Sequence, residues 1–305
     1  MKLEKLTDKT FVLTTQFANV GIFHLNESEV ILIDTGHIHE AKDLSQYFEQ
    51  HRMKIAGIIN THGHIDHVGA NFILQAQYDC QIAMPYVDHI FCEDISRYYM
   101  SFSTSVVEGL SVYGQGTFKV SHLIGEDETE FEFCGVRFEA IALKGHTYNQ
   151  KGIVTPDGIC FLGDSLIHLD VIEKAKFPVV THIGWHFEAM ESLRSLDYRH
   201  YVLGHGSVLS GNKMLNEFVE ENFVYFNRKI DEIEGLLTVA SKFDDLMFEL
   251  NKLYNIRKNI FKYFVAERTI RAILSYLEQE KRIQIVIENG VMTYLLGKSN
   301  CQNHH

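Results

Sequence analysis

Four residues that could bind a metal ion lie within six positions of one another: His62, His64, Asp66 and His67. Neutral imidazole and carboxylate are the ligand types that Zn²⁺ and similar divalent cations accept. The motif follows an apolar run, residues 55–60, that is typical of a buried strand. The chain contains 17 histidines, but this dense arrangement of histidine and aspartate predicts a metal site rather than a loop that is merely rich in histidine.

The spacing of the motif indicates the backbone that must carry it. On a helix, His62 and His64 would point about 200° apart, because one turn takes about 3.6 residues. The two rings point the same way only on extended or tightly looped backbone. We therefore expect a loop at the end of the strand. Asp66 and His67 are expected at the start of the next helix, where Asp66 suits the positive end of the helix dipole.

Further residues complete a resemblance to a known family. The run from His62 to His67 resembles the signature of the metallo-β-lactamase superfamily of hydrolases. The further ligands of that family have candidates here in the correct order: His146, Asp164 and His205. Asp34 matches the family's structural Asp-x-Gly, which lies beneath the site. The resemblance covers about the first 210 residues. Within the superfamily, the chain resembles the glyoxalase II-like and lactamase-β-2-like branch.

The resemblance implies two divalent metal ions in each chain. The first ion would be bound by His62, His64 and His146. The second ion would be bound by Asp66, His67 and His205. Asp164 would bridge the two ions, and such an anionic bridge lets two dications approach to about 3.5–4 Å. The ligand types favour Zn²⁺, with iron or manganese as alternatives.

This ligand set predicts a hydrolase. Two zinc ions lower the pKa of a shared water towards about 7, so that a metal-bridging hydroxide can attack a scissile carbonyl or phosphoryl group. The metals then stabilise the developing oxyanion. Asp66 is the candidate catalytic residue, because it could orient the nucleophile or pass on its proton.

Two segments near the expected site carry side chains without a metal role. Around His146 the chain departs from many relatives of the family through Lys144 and Tyr148. Tyr148 could donate a hydrogen bond to a substrate oxygen, or simply pack against its neighbours. His182 and His186 could contact a metal ligand or the substrate, but we expect them to be surface histidines with satisfied hydrogen bonds.

The function that we expect is a binuclear zinc hydrolase that cleaves a small ester, thioester or lactone. One alternative is a phosphodiesterase or endoribonuclease of the same fold that uses the same metals. A second alternative is a mononuclear iron sulfur dioxygenase, because such enzymes share the fold and keep a similar motif. A third is a metal-binding protein that lacks catalysis.

Charge and composition restrict the substrate and the compartment. Of the 28 basic and 40 acidic side chains, 13 of each lie in residues 212–305, so the net charge of −12 belongs to residues 1–211. This charge opposes a polyphosphate chain, so we expect a small-molecule substrate rather than a nucleic acid. The charged residues 1–9 do not resemble a signal peptide, and no apolar run reaches the roughly 18 residues of a membrane span. Together with five scattered cysteines, these features predict a cytoplasmic protein without membrane contact.

Strand and helix patterns predict an α/β fold, a four-layer αββα sandwich with two groups of strands. The first group is expected at 10–15, 20–25, 29–34, 55–60 and 81–84, with helices at 40–51 and 66–78. The second group is expected at 130–133, 136–143, 152–155, 159–162 and 200–203, with a helix at 187–196. Each candidate ligand then follows a strand, so distant residues come to share one edge of the sandwich.

Two segments stand apart from this pattern. Residues 86–118 are rich in aromatic side chains and could form a lid over the site or a pair of packing helices. After the metal-dependent hydrolase domain, expected at 1–211, the remaining residues 212–305 predict a mainly helical, winged-helix-like extension that ends in a hairpin at Asn289-Gly290. Its helices are expected at 215–237, 243–253 and 260–281. The mixed charges of the last helix favour a structural or dimerising role over DNA binding, so a homodimer is the protein partner that we expect.

Overall fold

Two β-sheets form the centre of the protein. The structure is a computed structural model, and it describes residues 1–94, 97, 116–239, 241–256 and 259–297. The first sheet consists of β1 Lys2–Lys5, β2 Thr10–Thr14, β3 Asn19–His24, β4 Glu29–Ile33, β5 Lys54–Ile59, β6 Gln81–Pro85 and β7 His122–Ile124. Its strands lie in chain order, antiparallel from β1 to β4 and parallel from β4 to β7.

The second sheet carries the strands that follow. It consists of β8 Glu130–Phe133, β9 Val136–Ala142, β10 Lys151–Val154, β11 Ile159–Phe161, β12 His200–Val202 and β13 Val208–Ser210. Neighbouring strands are antiparallel except β11 and β12, which are parallel. A tight turn at Cys134 and Gly135 connects β8 and β9. Cys134 and Gly135 both have positive φ angles, 50° and 74°, as a tight two-residue hairpin requires.

Helices cover the outer face of each sheet. Beside the first sheet lie α1 Ala41–Gln50, α2 Ile65–Val68, α3 Asn71–Tyr78 and α4 Tyr86–Cys92. Beside the second lie α5 Leu169–Ala175, α6 Ile183–Leu193, α7 Gly211–Leu236, α8 Phe243–Tyr254 and α9 Ile260–Gln279. The chain then forms the predicted hairpin, β14 Ile283–Glu288 and β15 Val291–Leu296. Asn289 and Gly290 adopt positive φ angles of 52° and 77° at its turn.

Three apolar clusters hold the layers together. One lies between the first sheet and its helices and includes Leu32 and Leu44. A second fills the space between the sheets, where the rings of Phe23 and Phe138 meet edge to face at 5.6 Å. The third joins the second sheet to the C-terminal helices and includes Phe226. The clusters fill the three spaces between four successive layers: helices, sheet, sheet and helices. The predicted four-layer αββα architecture is therefore confirmed.

The single helix predicted at 66–78 is wrong, because the chain breaks into α2 and α3 at Gly69 and Ala70. The backbone N–H of Gly69 donates to the carbonyl oxygen of Gly36 at 2.9 Å. A Cβ atom on Gly69 would lie 2.4 Å from the backbone nitrogen of Ile38. The metal-motif segment therefore packs directly against the Asp-x-Gly segment, and only glycine permits this approach.

Other elements also differ from the prediction. The helix predicted at 187–196 begins earlier, at Ile183, because the His182 side chain accepts a hydrogen bond from the Trp185 backbone N–H at 3.1 Å and caps the helix. The helix α5 and the strands β1, β7 and β13 were missing from the prediction. All four residues of β1 are exposed, so this strand lacks the alternation of apolar and polar residues that marks a half-buried strand.

One further prediction falls mostly on residues outside those described, and another stays untested. Of the aromatic segment 86–118, residues 86–92 form α4, while most of the remainder lies outside the described residues. The domain division at residue 211 stays a prediction. Buried side chains from both sides of it, such as Leu209 and Leu215, belong to one apolar cluster. In the described part of the chain, every helix is too short or too polar to span a membrane.

The packing of α7 against α6 generates a stability prediction. Phe226 is 1% exposed, and its ring centroid lies 5.0 Å from that of His186. The change Phe226→Ala removes most of this side chain, so we expect the free energy of unfolding to fall by about 3–5 kcal/mol in chemical denaturation. The control Val224→Ala, on the same helix but 60% exposed, should stay within about 0.5 kcal/mol of the unchanged protein. Equal losses in the two variants would contradict this packing.

Candidate metal centre

The predicted metal motif lies on the loop after β5. That strand ends at Ile59, and His64 has an extended backbone (φ −76°, ψ 149°) just before α2. Asp66 and His67 lie in α2 itself. The rings of His62 and His64 are 4.7 Å apart between centroids. The prediction of a strand-end loop followed by a helix is confirmed.

The remaining candidate ligands come from loops of the second sheet. His146 follows β9, Asp164 follows β11, and His205 follows β12. Ligand atoms within 4.8 Å of one another form three overlapping groups: His62, His64 and His146; His62, His67 and Asp164; Asp66, His67 and His205. The structure therefore brings all seven candidate ligands together at one edge of the sandwich.

Asp164 lies between the two groups of histidines. Its Oδ1 atom is 3.3 Å from His67 Nε2, and its Oδ2 atom is 3.4 Å from His146 Nε2 and 3.3 Å from His205 Nε2. Asp66 approaches from the open side, where its Oδ2 atom is 3.4 Å from His205 Nε2. A carboxylate at this position can contact both groups at once, which is the geometry that the predicted bridging role requires.

A glycine makes room for this convergence. A Cβ atom on Gly204 would lie 2.1 Å from Asp164 Oδ1 and 2.9 Å from His67 Cε1. Its backbone N–H donates to the carbonyl oxygen of Gly163 at 2.8 Å, which ties the Asp164 and His205 loops together. Any side chain at Gly204 would therefore displace the candidate ligands.

Asp34 lies beneath the cluster and orients part of it. Its Oδ2 atom is 2.8 Å from His67 Nδ1 and accepts a hydrogen bond from the Thr61 hydroxyl, also at 2.8 Å. Its Oδ1 atom accepts the backbone N–H of Thr61 at 2.9 Å. The φ angle of Asp34 is 59°, a left-handed conformation that is uncommon for residues other than glycine. Because Asp34 contacts Nδ1 of His67, the Nε2 atom of that ring faces the cluster.

Other histidines are oriented by neighbouring oxygen atoms. His146 Nδ1 lies 2.6 Å from the Val179 carbonyl oxygen, and His205 Nδ1 lies 2.5 Å from the Phe17 carbonyl oxygen. His62 Nδ1 lies 3.0 Å from the Thr61 hydroxyl. In each ring the Nε2 atom is left for the cluster, as is usual for histidines that bind metal.

Several atoms that face the cluster are buried without a hydrogen bond. Within the described residues, these are His62 Nε2, His67 Nε2 and Asp164 Oδ1. Buried polar atoms are nearly always hydrogen-bonded, so each exception calls for an explanation. Imidazole nitrogens and a carboxylate oxygen are the donors that divalent cations accept. The residues present therefore fit a metal ion.

When no metal is bound, burial and neighbouring charges shift the pKa values of the side chains in the cluster. Burial lowers the pKa values of His62 and His64 well below the ordinary value, so these rings are neutral. Burial also opposes protonation of His205 and His67. The Asp164 charge nevertheless raises the pKa of His205 to about 9, and it raises the pKa of His67 well above its ordinary value. The imidazoles of His205 and His67 overcome the effect of burial and hold the pKa of Asp164 well below its usual range. A cation that binds His67 and His205 must displace their protons, so its affinity falls at low pH.

A cleft with a volume of about 200 Å³ opens beside His64. Val87 and Phe91 of α4 give it an apolar side, and Tyr148 and Arg268 also line it. Tyr148, which could contact a substrate or simply pack against its neighbours, is 54% exposed, and its ring centroid lies 6.2 Å from that of Trp185. The part of the aromatic segment that is described therefore does form a wall of the cleft.

Sequence reasoning missed Asp88 and misplaced His186. Asp88 is 3% exposed, and its Oδ1 atom accepts the Gly63 backbone N–H at 2.9 Å, while Oδ2 accepts the Thr147 hydroxyl at 3.3 Å. It thereby joins the loops that carry His64 and His146. The expectation that His186 lies at the surface is wrong, because its ring is 1% exposed and packs against Phe226. Burial lowers the pKa of His186 to about 3.

The environment of Asp88 generates a prediction about pH. Burial raises its pKa from 3.8 to about 6, although the hydrogen bond from Gly63 opposes this shift. The folded protein therefore holds this proton more tightly than the unfolded chain, and ionisation of Asp88 lowers stability as pH rises from about 4 to about 6. In metal-free protein, the free energy of unfolding relative to the Asp88→Asn variant should fall by roughly 2 kcal/mol between pH 4 and pH 7. Urea denaturation at several pH values measures this, and a difference that does not change with pH would refute it.

The sequence as a whole identifies the family. The family model for the metallo-beta-lactamase superfamily matches residues 13–205, which is more than half of the chain and includes all seven candidate ligands. The chain therefore belongs to the metallo-β-lactamase superfamily.

Individual relatives are more distant. The chain is 26% identical over 140 residues to a hydroxyacylglutathione hydrolase of Chromohalobacter salexigens, a match that covers 45% of this chain and 43% of that protein. It is 25% identical over 162 residues to the hydroxyacylglutathione hydrolase GloC of Haemophilus influenzae, covering 52% of this chain and 71% of that protein. The chain thus spans less than half the length of the first of these relatives.

A solved structure matches nearly the whole fold. A metallo-beta-lactamase family protein from Thermus thermophilus aligns with a TM-score of 0.71 and 16% identity, and the match covers 96% of this chain and 100% of that one. At this identity the likeness concerns the fold alone. The match extends through the C-terminal helices, which lie beyond the residues that the family model covers.

Proposed function

We propose that the protein is a metal-dependent hydrolase that cleaves a small ester, thioester or lactone. The observation that carries this proposal is the convergence of seven imidazole and carboxylate side chains beside a small cleft. The partial match to hydroxyacylglutathione hydrolases supports hydrolysis of an acyl compound. The cleft volume of about 200 Å³ favours a small molecule over a polymer.

Two divalent ions, Zn²⁺ in our proposal, would occupy the cluster. His62, His64 and His146 would hold the first ion. Asp66, His67 and His205 would hold the second, and Asp164 would contact both. When bound, the ions would supply Lewis acidity and lower the pKa of a water molecule towards neutrality. Iron and manganese accept similar ligands and remain the alternatives to zinc.

The side chains around the cluster have separate tasks in this proposal. Asp66 is one-third exposed and faces His205, so its carboxylate can orient the attacking water and accept its proton. Asp34 and the Val179 carbonyl hold His67 and His146 in fixed orientations, which limits the reorganisation needed during the reaction. Tyr148 lines the cleft and can donate its hydroxyl hydrogen to a substrate oxygen.

The remaining expectations are part of the same proposal. The net charge of −12 lies in residues 1–211 and opposes a nucleic-acid substrate. A cytoplasmic location is supported by the four described cysteines, Cys80, Cys92, Cys134 and Cys160, which form no disulfide bonds with one another. The helices and the hairpin after residue 211 are consistent with a winged-helix-like extension. We propose a structural or dimerising role for it.

The proposal predicts hydrolysis that depends on metal and on Asp66. Zinc-loaded protein should hydrolyse an aryl ester, a thioester or a lactone, and a chelator should abolish turnover until zinc is restored. Asp66→Asn should lower kcat by roughly 10²–10⁴-fold, because it removes a proton acceptor at the site. The control Asp170→Asn changes a carboxylate whose side chain is 83% exposed, and it should leave kcat unchanged.

Other outcomes of these assays would contradict the proposal. Turnover of a bis-aryl phosphodiester alone would identify a phosphodiesterase instead. Oxygen consumption by protein that binds a single iron would identify an oxygenase. Acyl hydrolysis that survives both the chelator and Asp66→Asn would show that the cluster is not the active site.

A further inference from the structure

A short backbone segment, residues 178–182, orients His146 and directly precedes α6. Within it, the Val179 carbonyl oxygen lies 2.6 Å from His146 Nδ1, which leaves the Nε2 atom of that ring for the cluster. His146 is 2% exposed, so its ring is shielded from bulk water. The position of this carbonyl group therefore sets the direction in which one candidate metal ligand points.

Thr269 of α9 bonds to the residues on both sides of Val179. Its hydroxyl donates to the Pro178 carbonyl oxygen at 2.7 Å and accepts the Val180 backbone N–H at 3.2 Å. A hydroxyl has one proton to donate, and the alternative acceptor, the Val265 carbonyl oxygen, is farther away at 3.4 Å. Thr269 is 1% exposed. One buried hydroxyl thus satisfies a backbone acceptor and a backbone donor that flank the Val179 carbonyl group.

The same segment contacts the loop of His146 at a second point. The Gly145 carbonyl oxygen accepts the backbone N–H groups of Thr181 at 2.7 Å and of His182 at 3.1 Å. It also accepts the Thr181 hydroxyl at 2.9 Å. The segment that α9 holds and the loop that carries His146 are therefore joined backbone to backbone, so a displacement of the segment moves the ligand as well.

We propose that Thr269 is a positioning residue for the first metal ion, the one that His146 would help to bind. It acts through the backbone, because the Thr269 hydroxyl holds segment 178–182 and the Val179 carbonyl group of that segment holds the ring. The inference rests on the metal occupancy in the proposed function, but not on the reaction. Thr269 lies beyond residue 205, where the family model ends, so the inference gives the C-terminal helices a task in the metal centre.

Loss of the hydroxyl should weaken binding of the first ion only. Thr269→Val leaves a buried carbonyl oxygen and a buried N–H without a partner, so segment 178–182 is no longer held in one position. The two sites are measured separately in full-length protein, by zinc competition with a chelator. A His205→Ala background keeps the histidines of the first ion, and a His64→Ala background keeps those of the second.

In the first background, we expect Thr269→Val to raise the dissociation constant for zinc about 10-fold, the low end of the range for groups that orient a ligand. In the second background, the constant should stay unchanged. Thr269→Ser keeps the hydroxyl and should bind zinc as the parent protein does in both backgrounds. An unchanged constant for the first ion in Thr269→Val would overturn the inference, and so would an equal loss at both sites.

The control variant removes another buried hydroxyl of the C-terminal helices. Tyr225 of α7 is 3% exposed and donates to the Lys176 carbonyl oxygen at 2.5 Å, outside segment 178–182. Tyr225→Phe and Thr269→Val should both lower the midpoint of urea unfolding, because each loses a buried hydrogen bond. Only Thr269→Val should weaken zinc binding. Equal weakening in the two variants would reflect a general loss of stability and would contradict a positioning role.

A measurement without metal separates this inference from the proposed function. If the unchanged protein binds no zinc, the metal assignment fails, and NMR of ¹⁵N-labelled histidine side chains in metal-free protein then tests the positioning. At about pH 8, where imidazole is ordinarily neutral, we expect the His146 proton on Nδ1 in the unchanged protein, in Thr269→Ser and in Tyr225→Phe. The signal is assigned by its loss in His146→Gln. Thr269→Val should show a mixture of the two tautomers, and a single Nδ1–H tautomer in this variant would overturn the inference.

Discussion

Ligand atoms at the ends of strands are buried without hydrogen bonds, and this burial limits how the surrounding layers can pack. His62 Nε2 and Asp164 Oδ1 are buried and, within the described residues, lack hydrogen-bond partners. Such an atom costs roughly 1–3 kcal/mol, and more when the group is charged. Packing of the four layers must offset this cost in the metal-free protein. A bound cation would satisfy the same atoms directly, and their types are those that a divalent metal ion accepts.

The candidate metal ligands come together because loops from both sheets meet at one edge of the sandwich. The first sheet supplies the loop after β5, and the second supplies the loops after β9, β11 and β12. Asn19 of β3 joins the two sheets there, because its side chain donates to the Leu203 carbonyl oxygen at 2.8 Å and its backbone N–H donates to the Gly204 carbonyl oxygen at the same distance. Gly204 in turn leaves space for Asp164. Small backbone groups and the inter-sheet core therefore determine the ligand geometry together.

Much of this arrangement is predictable from the sequence, because the signals are local. The spacing of His62 and His64 requires a loop, and Asn289-Gly290 matches a two-residue turn by its own conformational preferences. The break in the helix at Gly69 arises instead from a contact with the backbone around Ile38, which no local pattern reveals. Asp88 bonds to a loop, and Arg268 lines a cleft, that segments distant in the sequence form. Their positions at the site therefore cannot be predicted from residue type and spacing alone.

The positions of the bound metal ions test the binuclear centre directly. Crystals of the full chain loaded with zinc can be measured at wavelengths on both sides of the zinc absorption edge, so that anomalous difference maps show each zinc position. We expect two peaks, one among His62, His64 and His146 and one among Asp66, His67 and His205. A single peak would contradict the binuclear centre. The absence of any peak at this edge of the sandwich in zinc-saturated crystals would contradict the metal assignment itself.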